Sequence, residues 1–320
     1  MSFCANKHEK RLYGEGVIQN FVLIIGAMKS GTTTLYDYLA QHPQIAAGSE
    51  KEPSFFAFEE RWALGFDWYE SKFSYDPNRH LYALDGSTDY TKHPFCEKVV
   101  ERLKASAPRR FKLIYIMRHP LRRIESHARH AETFKREIGR CLSPREAHGL
   151  DAGISPVSMA ISRYAYQIDK YLEYYDKGDL LLLTLEQLAR EPGAVLAKVC
   201  KFLELDAASV GETLLKSNVA ERKASSHSLS RSLYAHWQTL KGITPLRRLV
   251  KSVVPRSLRA RVYSEVKTMA GPQGRFVLNE READAVTAIL IPDLIRLRDR
   301  YGIDAEKEWG IALPTNADLA

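Results

Sequence analysis

Lys29, Glu52, Arg118 and Ser126 are side chains whose types and spacing could do chemistry on a phosphorylated substrate. Lys29 lies in FVLIIGAMKSGTTT, residues 21–34. The apolar, β-branched stretch from Phe21 to Ile25 reads as a buried strand. Gly26 ends it, a tight loop follows, and Gly31-Thr32-Thr33-Thr34 leads into LYDYLAQH, which is helical in character up to Pro43. A strand, a loop with glycines and a helix start form an anion cradle, because the first backbone N–H groups of a helix have no partner inside it. The spacing is nearly that of the phosphate-binding motif G-x-x-x-x-G-K-[ST]. Gly26, Gly31 and Thr33 fit, but Thr32 stands where the lysine belongs, and the loop's lysine, Lys29, comes before the second glycine. The cation that would reach the β/γ-phosphates is missing from its usual place. The loop is therefore read as built for a phosphate group and not for ATP or GTP hydrolysis.

Lys51-Glu52-Pro53-Ser54-Phe55-Phe56 places a charged pair before two aromatics, downstream of the loop. Taken alone, such a pair is commonly two solvated loop charges. A further buried-strand run opens FKLIYIMRHPLRRIESHA at Phe111, with Arg118 at its carboxyl end, a turn at His119-Pro120 and then a helix. Ligands of open α/β sheets bind beyond the carboxyl ends of the strands. If the strands are parallel, Arg118 shares an edge with the Lys29 loop, and the second turn of the helix could bring the Ser126 hydroxyl back toward it. A guanidinium fork suits a phosphate dianion in charge and in paired hydrogen bonds.

GAMKSGTTTL resembles the 5′-phosphosulfate loop of sulfotransferases that use 3′-phosphoadenosine 5′-phosphosulfate (PAPS), and more narrowly the branch of heparan sulfate sulfotransferases and their bacterial relatives. The resemblance runs from about residue 20 to residue 310, where LRDRYGIDAEKEW is similar to the family's last helix. It implies that Lys29 and the run Ser30, Gly31, Thr32, Thr33 and Thr34 hold the 5′-phosphate side, with Lys29 neutralising charge on the departing oxygen. It implies that Glu52 is the catalytic base and that Arg118 and Ser126 hold the 3′-phosphate. Arg222 and Lys223, in NVAERKASSHSLSRS, correspond to a loop that closes over the nucleotide, although a solvated polar loop reads equally well. The chain departs from the family at two places. Ser54 stands where some relatives have a histidine, and Asp85 to Tyr90 holds Gly86 and no lysine. The implied reaction is transfer of a sulfuryl group to a hydroxyl, or an amine, of a carbohydrate, glycolipid or other small acceptor, with no metal. The alternatives are a small-molecule or nucleotide kinase, and a nucleotide-binding relative that has lost its chemistry.

The elements that must position these residues alternate along the chain. Strands are expected at 21–26, 44–47, 81–85, 111–117 and 180–185, and helices at 31–41, 60–71, 93–106, 120–136 and 158–176. Alternation of this kind argues α/β: a P-loop-like three-layer fold with a central parallel sheet and helices on both faces. The expected organisation is an extension over 1–20, one sulfotransferase domain over 21–310 and a tail over 311–320. Within the domain, 139–157 mixes Gly, Pro, Ser and charges and reads as a lid loop or a surface insertion.

A chain of 320 residues, 45% hydrophobic and 27% charged, can bury a large core and is neither disordered nor membrane-spanning in composition. No secretory leader is visible in MSFCANKHEKRLYGEG, and Cys4, Cys96, Cys141 and Cys200 are far apart, so a reducing, cytoplasmic setting is expected. His127 and His130 fall at helical spacing, but no third ligand accompanies them and no metal site is expected. The net charge is +8, and residues 241–267 hold eight Lys or Arg and one Glu. That stretch suits an anionic membrane surface or an acidic polysaccharide, or a hairpin packed on the core. No nucleic-acid recognition motif appears.

Overall fold

In the computed structural model, which describes residues 17–128, 154–206 and 277–314, five parallel strands form one sheet. They are β1 (Asn20–Gly26), β2 (Ile45–Ala47), β3 (Tyr82–Asp85), β4 (Arg110–Met117) and β5 (Leu180–Thr184). Their order is β2-β3-β1-β4-β5, and every pairing is parallel. After β1 the chain places β2 at one edge, fills in β3 between β2 and β1, and then crosses to add β4 and β5 on the other side of β1. The carboxyl end of β1 is thus a topological switch point, the place where open α/β sheets leave a crevice for a ligand.

Alternation along β1 sends its side chains to two cores. Phe21, Leu23 and Ile25 join Phe111, Leu113 and Tyr115 of β4 in an aromatic-rich layer. That layer is closed by Val286, Leu290, Leu294 and Leu297 of the helix Glu280–Tyr301 and by Tyr164, Ile168 and Tyr171. Val22, Ile24, Ile114 and Ile116 face the other way. There they meet Leu35, Tyr36 and Leu39 of α1 (Thr32–Leu39) and Val195, Leu196 and Val199 of the helix Pro192–Phe202. Helices on both faces make the fold α/β in three layers, as the alternation of elements predicts. Burial on both faces explains why β1 and β4 read as continuous apolar runs.

The expected strands match those observed to within a residue at each end. The helices differ more. The stretch expected over 60–71 is two pieces, Glu59–Trp62 and Gly65–Glu70, with Gly65 at φ 73° at the break. The helix expected over 93–106 is shorter, Val99–Ala105. Proline lacks the N–H that a helix interior needs, and Pro94 marks the part that is not helical. The stretch 158–176 is three segments, Pro156–Ser162, Tyr164–Asp169 and Leu172–Asp176, broken first at Arg163, whose φ −84° and ψ 81° are not helical. The helix after Arg118, α2, is described over 120–128. Arg222, Lys223, the basic stretch 241–267, residues 1–16 and 139–153, and most of the tail lie outside the described residues. Among the described residues no helix is long and apolar enough to cross a membrane.

Candidate active site

The loop between β1 and α1 takes its shape from two left-handed backbone positions, Lys29 at φ 71° and Gly31 at φ 88°. Left-handed residues interleaved in a turn gather successive N–H groups into a concavity that suits an anion. Gly31 is the residue before the first turn of α1, and no side chain caps that end. A Cβ at Gly31 would lie 2.5 Å from Leu185 Cδ1, so the loop is packed closely on the start of the helix Leu185–Arg190 as well as turned. At the other end of the loop a Cβ on Gly26 would lie 2.0 Å from Thr91 Oγ1, whose hydroxyl donates to the Ile25 carbonyl at 2.7 Å. The Ala27 N–H donates across to the Ile116 carbonyl of β4 at 2.8 Å. Ser30 is fully buried, and its hydroxyl makes no hydrogen bond among the described residues. Thr32 is buried, while Thr33 and Thr34 are exposed.

Arg118 follows β4 and reaches the loop. Its Nη1 donates to the Lys29 carbonyl at 3.4 Å. The parallel sheet thus brings Arg118 and Lys29 to one edge, as the sequence predicts. The Arg118 carbonyl is held in turn by the Tyr164 hydroxyl at 2.6 Å. Burial pushes that phenol up to about 12, against the lowering effect of Arg123, so it stays a donor at neutral pH. Ser126 lies half-buried on α2 with no hydrogen bond to Arg118 among the described residues.

Glu52 stands at the edge of the β3 side. Lys51 Nζ lies 2.6 Å from Glu52 Oε1, and the Thr88 hydroxyl donates to Oε2 at 3.2 Å. The orienting groups that a histidine at position 54 would supply come instead from these two. Ser54 is buried elsewhere: its N–H donates to Ser87 Oγ at 2.9 Å and its hydroxyl to Asp89 Oδ2 at 2.7 Å. Lys51 is not a solvated neighbour. Its stem crosses Gly86, where an added Cβ would lie 3.3 Å from Lys51 Cγ and Cε and 2.8 Å from Tyr36 Cδ2. Its ammonium lies 5.9 Å from the centre of the Tyr36 ring. The Gly86 N–H fixes the Lys51 carbonyl at 2.9 Å.

The other carboxylates nearby are committed to structure. Asp85 is fully buried and accepts from the Ser87 N–H at 2.8 Å, Ser87 Oγ at 2.5 Å, Tyr69 OH at 2.8 Å and Tyr90 OH at 2.7 Å. Burial pushes its carboxyl up, and the Ser87 and tyrosine hydrogen bonds oppose that. Asp89 is paired with Lys92 and bonded by Ser54.

Arg123, which no motif singled out, is fully buried on α2 and touches the loop through the Met28 carbonyl, 3.5 Å from Nη1. Its signal was periodic. Pro120, Arg123 and Ile124 fall at i, i+3 and i+4, the inward arc of a helix, and all three are buried.

Residues 19–239, more than half of the chain, match the sulfotransferase domain family. Among curated relatives, the bifunctional heparan sulfate N-deacetylase/N-sulfotransferase 1 of Caenorhabditis briggsae is 28% identical over 58% of this chain and 22% of its own length. The human heparan sulfate glucosamine 3-O-sulfotransferase 6 is 31% identical over 57% of this chain and 52% of its own length. The chain thus spans between a fifth and about half of the curated relatives it matches. In three dimensions the chain resembles a sulfotransferase from Alicyclobacillus acidocaldarius, with a TM-score of 0.56 at 21% identity, covering 90% of this chain and 98% of that one. The chain belongs to the sulfotransferase domain family.

Proposed function

We propose that the protein transfers a sulfuryl group from PAPS to a hydroxyl, or an amine, of a carbohydrate-type acceptor. The observation that carries this reading is the union at one sheet edge of a phosphate loop, with Thr32 in the lysine position, and an arginine bonded to that loop's Lys29 carbonyl. The residues fit the co-substrate. A buried Ser30 hydroxyl and a glycine-dependent anion concavity suit the 5′ side, and the Arg118 fork suits a further phosphate. PAPS supplies an activated sulfuryl group on a phosphate leaving group.

The chain's own part is positioning, charge and one proton transfer. Lys29 and the amides at the start of α1 hold negative charge on the 5′ side. Arg118 holds the 3′-phosphate. Glu52 takes the proton from the acceptor hydroxyl, for which it must come within hydrogen-bond reach of that oxygen. Thr88 and Lys51 hold its carboxylate by both oxygens, which limits its rotation. A glycan acceptor is supported by the heparan sulfate sulfotransferases among the relatives, whose names include both N- and O-transfer.

Labelled sulfate from PAPS should appear on at least one member of a panel of glycans, glycolipids and small alcohols. In calorimetry, 3′-phosphoadenosine 5′-phosphate (PAP) should bind far more tightly than ATP with magnesium. Comparable binding of ATP, together with phosphoryl transfer to an acceptor, would replace this reading with a kinase.

A further inference from the structure

Arg123 is the only arginine among the described residues that is fully buried. Its polar partners among the described residues are all neutral oxygens. Nε donates to Ser162 Oγ at 2.9 Å, and Nη2 donates to the Ser158 carbonyl at 2.5 Å, to Ser158 Oγ at 2.9 Å and to Ser162 Oγ at 2.7 Å. Nη1 reaches the Met28 carbonyl at 3.5 Å. Among the described residues no carboxylate pairs with it. Neighbouring Arg122, by contrast, is exposed and bridges to Glu125 at 3.2 Å.

Burying a charge costs several kcal/mol unless an opposite charge repays it. Among the described residues the guanidinium meets serine hydroxyls and main-chain carbonyls, which keep its hydrogen bonds without supplying an opposite charge. Burial pushes its proton affinity down; the nearby Tyr164 and Tyr115 oppose that, and the positive charge of Arg118 adds to it. Two like charges are therefore held near each other behind one loop, on successive carbonyls, Met28 for Arg123 and Lys29 for Arg118. The carbonyl and N–H of a peptide point in opposite directions. Drawing the Met28 carbonyl toward α2 turns the N–H side of that peptide to the other side of the loop. Both consequences, the turned peptide and the unrepaid charge, favour an anion at the loop. Simple bracing of the fold would be served as well by a neutral residue bonding the same serines.

We propose that Arg123 is a positioning residue for the anionic nucleotide: it holds the phosphate loop by the Met28 carbonyl and supplies a buried positive charge that the nucleotide's phosphates compensate. The inference rests on the sulfotransferase reading and adds to it a third cation, behind the loop, that never touches the ligand. It also makes ligand binding and the fold share one electrostatic cost, so that PAP should stabilise the protein more when residue 123 is charged.

The test compares the wild-type chain with Arg123→Gln and Arg123→Lys, reading PAP affinity by calorimetry and the unfolding midpoint with and without PAP. Arg123→Gln should bind PAP about tenfold or more weakly, since a charge acts on a dianion through a partly screened interior. Its midpoint without ligand should be equal to or above that of wild type, and the rise on adding PAP should shrink. Arg123→Lys keeps the charge and should bind within a few-fold of wild type, although it loses the fork. A folded Arg123→Gln that binds PAP like wild type overturns the inference and leaves Arg123 a brace. If Arg123→Gln does not fold, Arg123→Lys decides: a folded Lys variant as weak as a hundredfold loss shows that the fork matters and not the charge, and overturns the inference too. Failure of the wild type to bind PAP at all would sink both this inference and the sulfotransferase reading, whereas normal wild-type binding confines any failure to Arg123.

Discussion

The two ends of the candidate site are built in different ways. The phosphate end is made of backbone: left-handed turns at Lys29 and Gly31, glycines that meet Leu185 and Thr91 at distances no Cβ could occupy, and arginines that grip main-chain carbonyls. The Glu52 end is made of side chains that hold one another. Lys51 and Thr88 grip Glu52, and their neighbours Ser54, Asp89 and Lys92 form a second chain of polar contacts. Glu52 is 40% exposed, whereas Ser30 and Arg123 are fully buried. An anion common to every turnover can be met by fixed dipoles that need no adjustment. A base that must reach an acceptor has to stand at the surface, and its orientation is then set by partners that a single substitution can remove.

That contrast predicts separable losses. The largest should follow Glu52→Gln, which keeps size and hydrogen bonding but cannot accept the proton. kcat should fall about a hundred- to ten-thousand-fold, the usual worth of a general base, with PAP affinity by calorimetry nearly unchanged. Loss of PAP affinity as well would merge the two ends. Next comes Arg118→Ala. A charge-assisted hydrogen bond is worth about 1.5–3 kcal/mol, so PAP should bind about ten- to a hundred-fold more weakly. Titration with adenosine 5′-phosphate, which lacks the 3′-phosphate, should show almost no difference between variant and wild type. Equal weakening for both ligands would remove Arg118 from the 3′ side.

The smallest effect sharpens the comparison most. Lys51→Met retains the packed stem over Gly86 and deletes only the ammonium. A partly exposed ion pair contributes about 1 kcal/mol or less, so kcat should drop about fivefold while PAP affinity holds. Gly86→Ala should reproduce that loss by displacing the same lysine, because its Cβ would press on both Tyr36 and the Lys51 stem. A Gly86→Ala enzyme with full activity and a displaced Lys51, seen in a crystal structure, would show that the ammonium is idle.

The sequence by itself determined the sheet and the phosphate end. The strand runs are apolar because both faces are buried, and the loop is legible because glycine spacing, the strand before it and the helix after it are local along the chain. It also fixed the edge that Arg118 shares with the loop, since parallel strands end together. Helix limits were less legible, because breaks such as Gly65 and Arg163 are single-residue backbone choices inside runs of good helical composition. Tertiary structure alone decided what holds Glu52. Thr88 stands 36 residues away from it, and the glycine that admits the Lys51 stem stands on the far side of β3 in sequence. It also decided what the inward-facing Arg123 meets, a loop carbonyl 95 residues away in sequence. Composition and periodicity report which face of an element is buried; only closure of the fold sets which distant groups meet there.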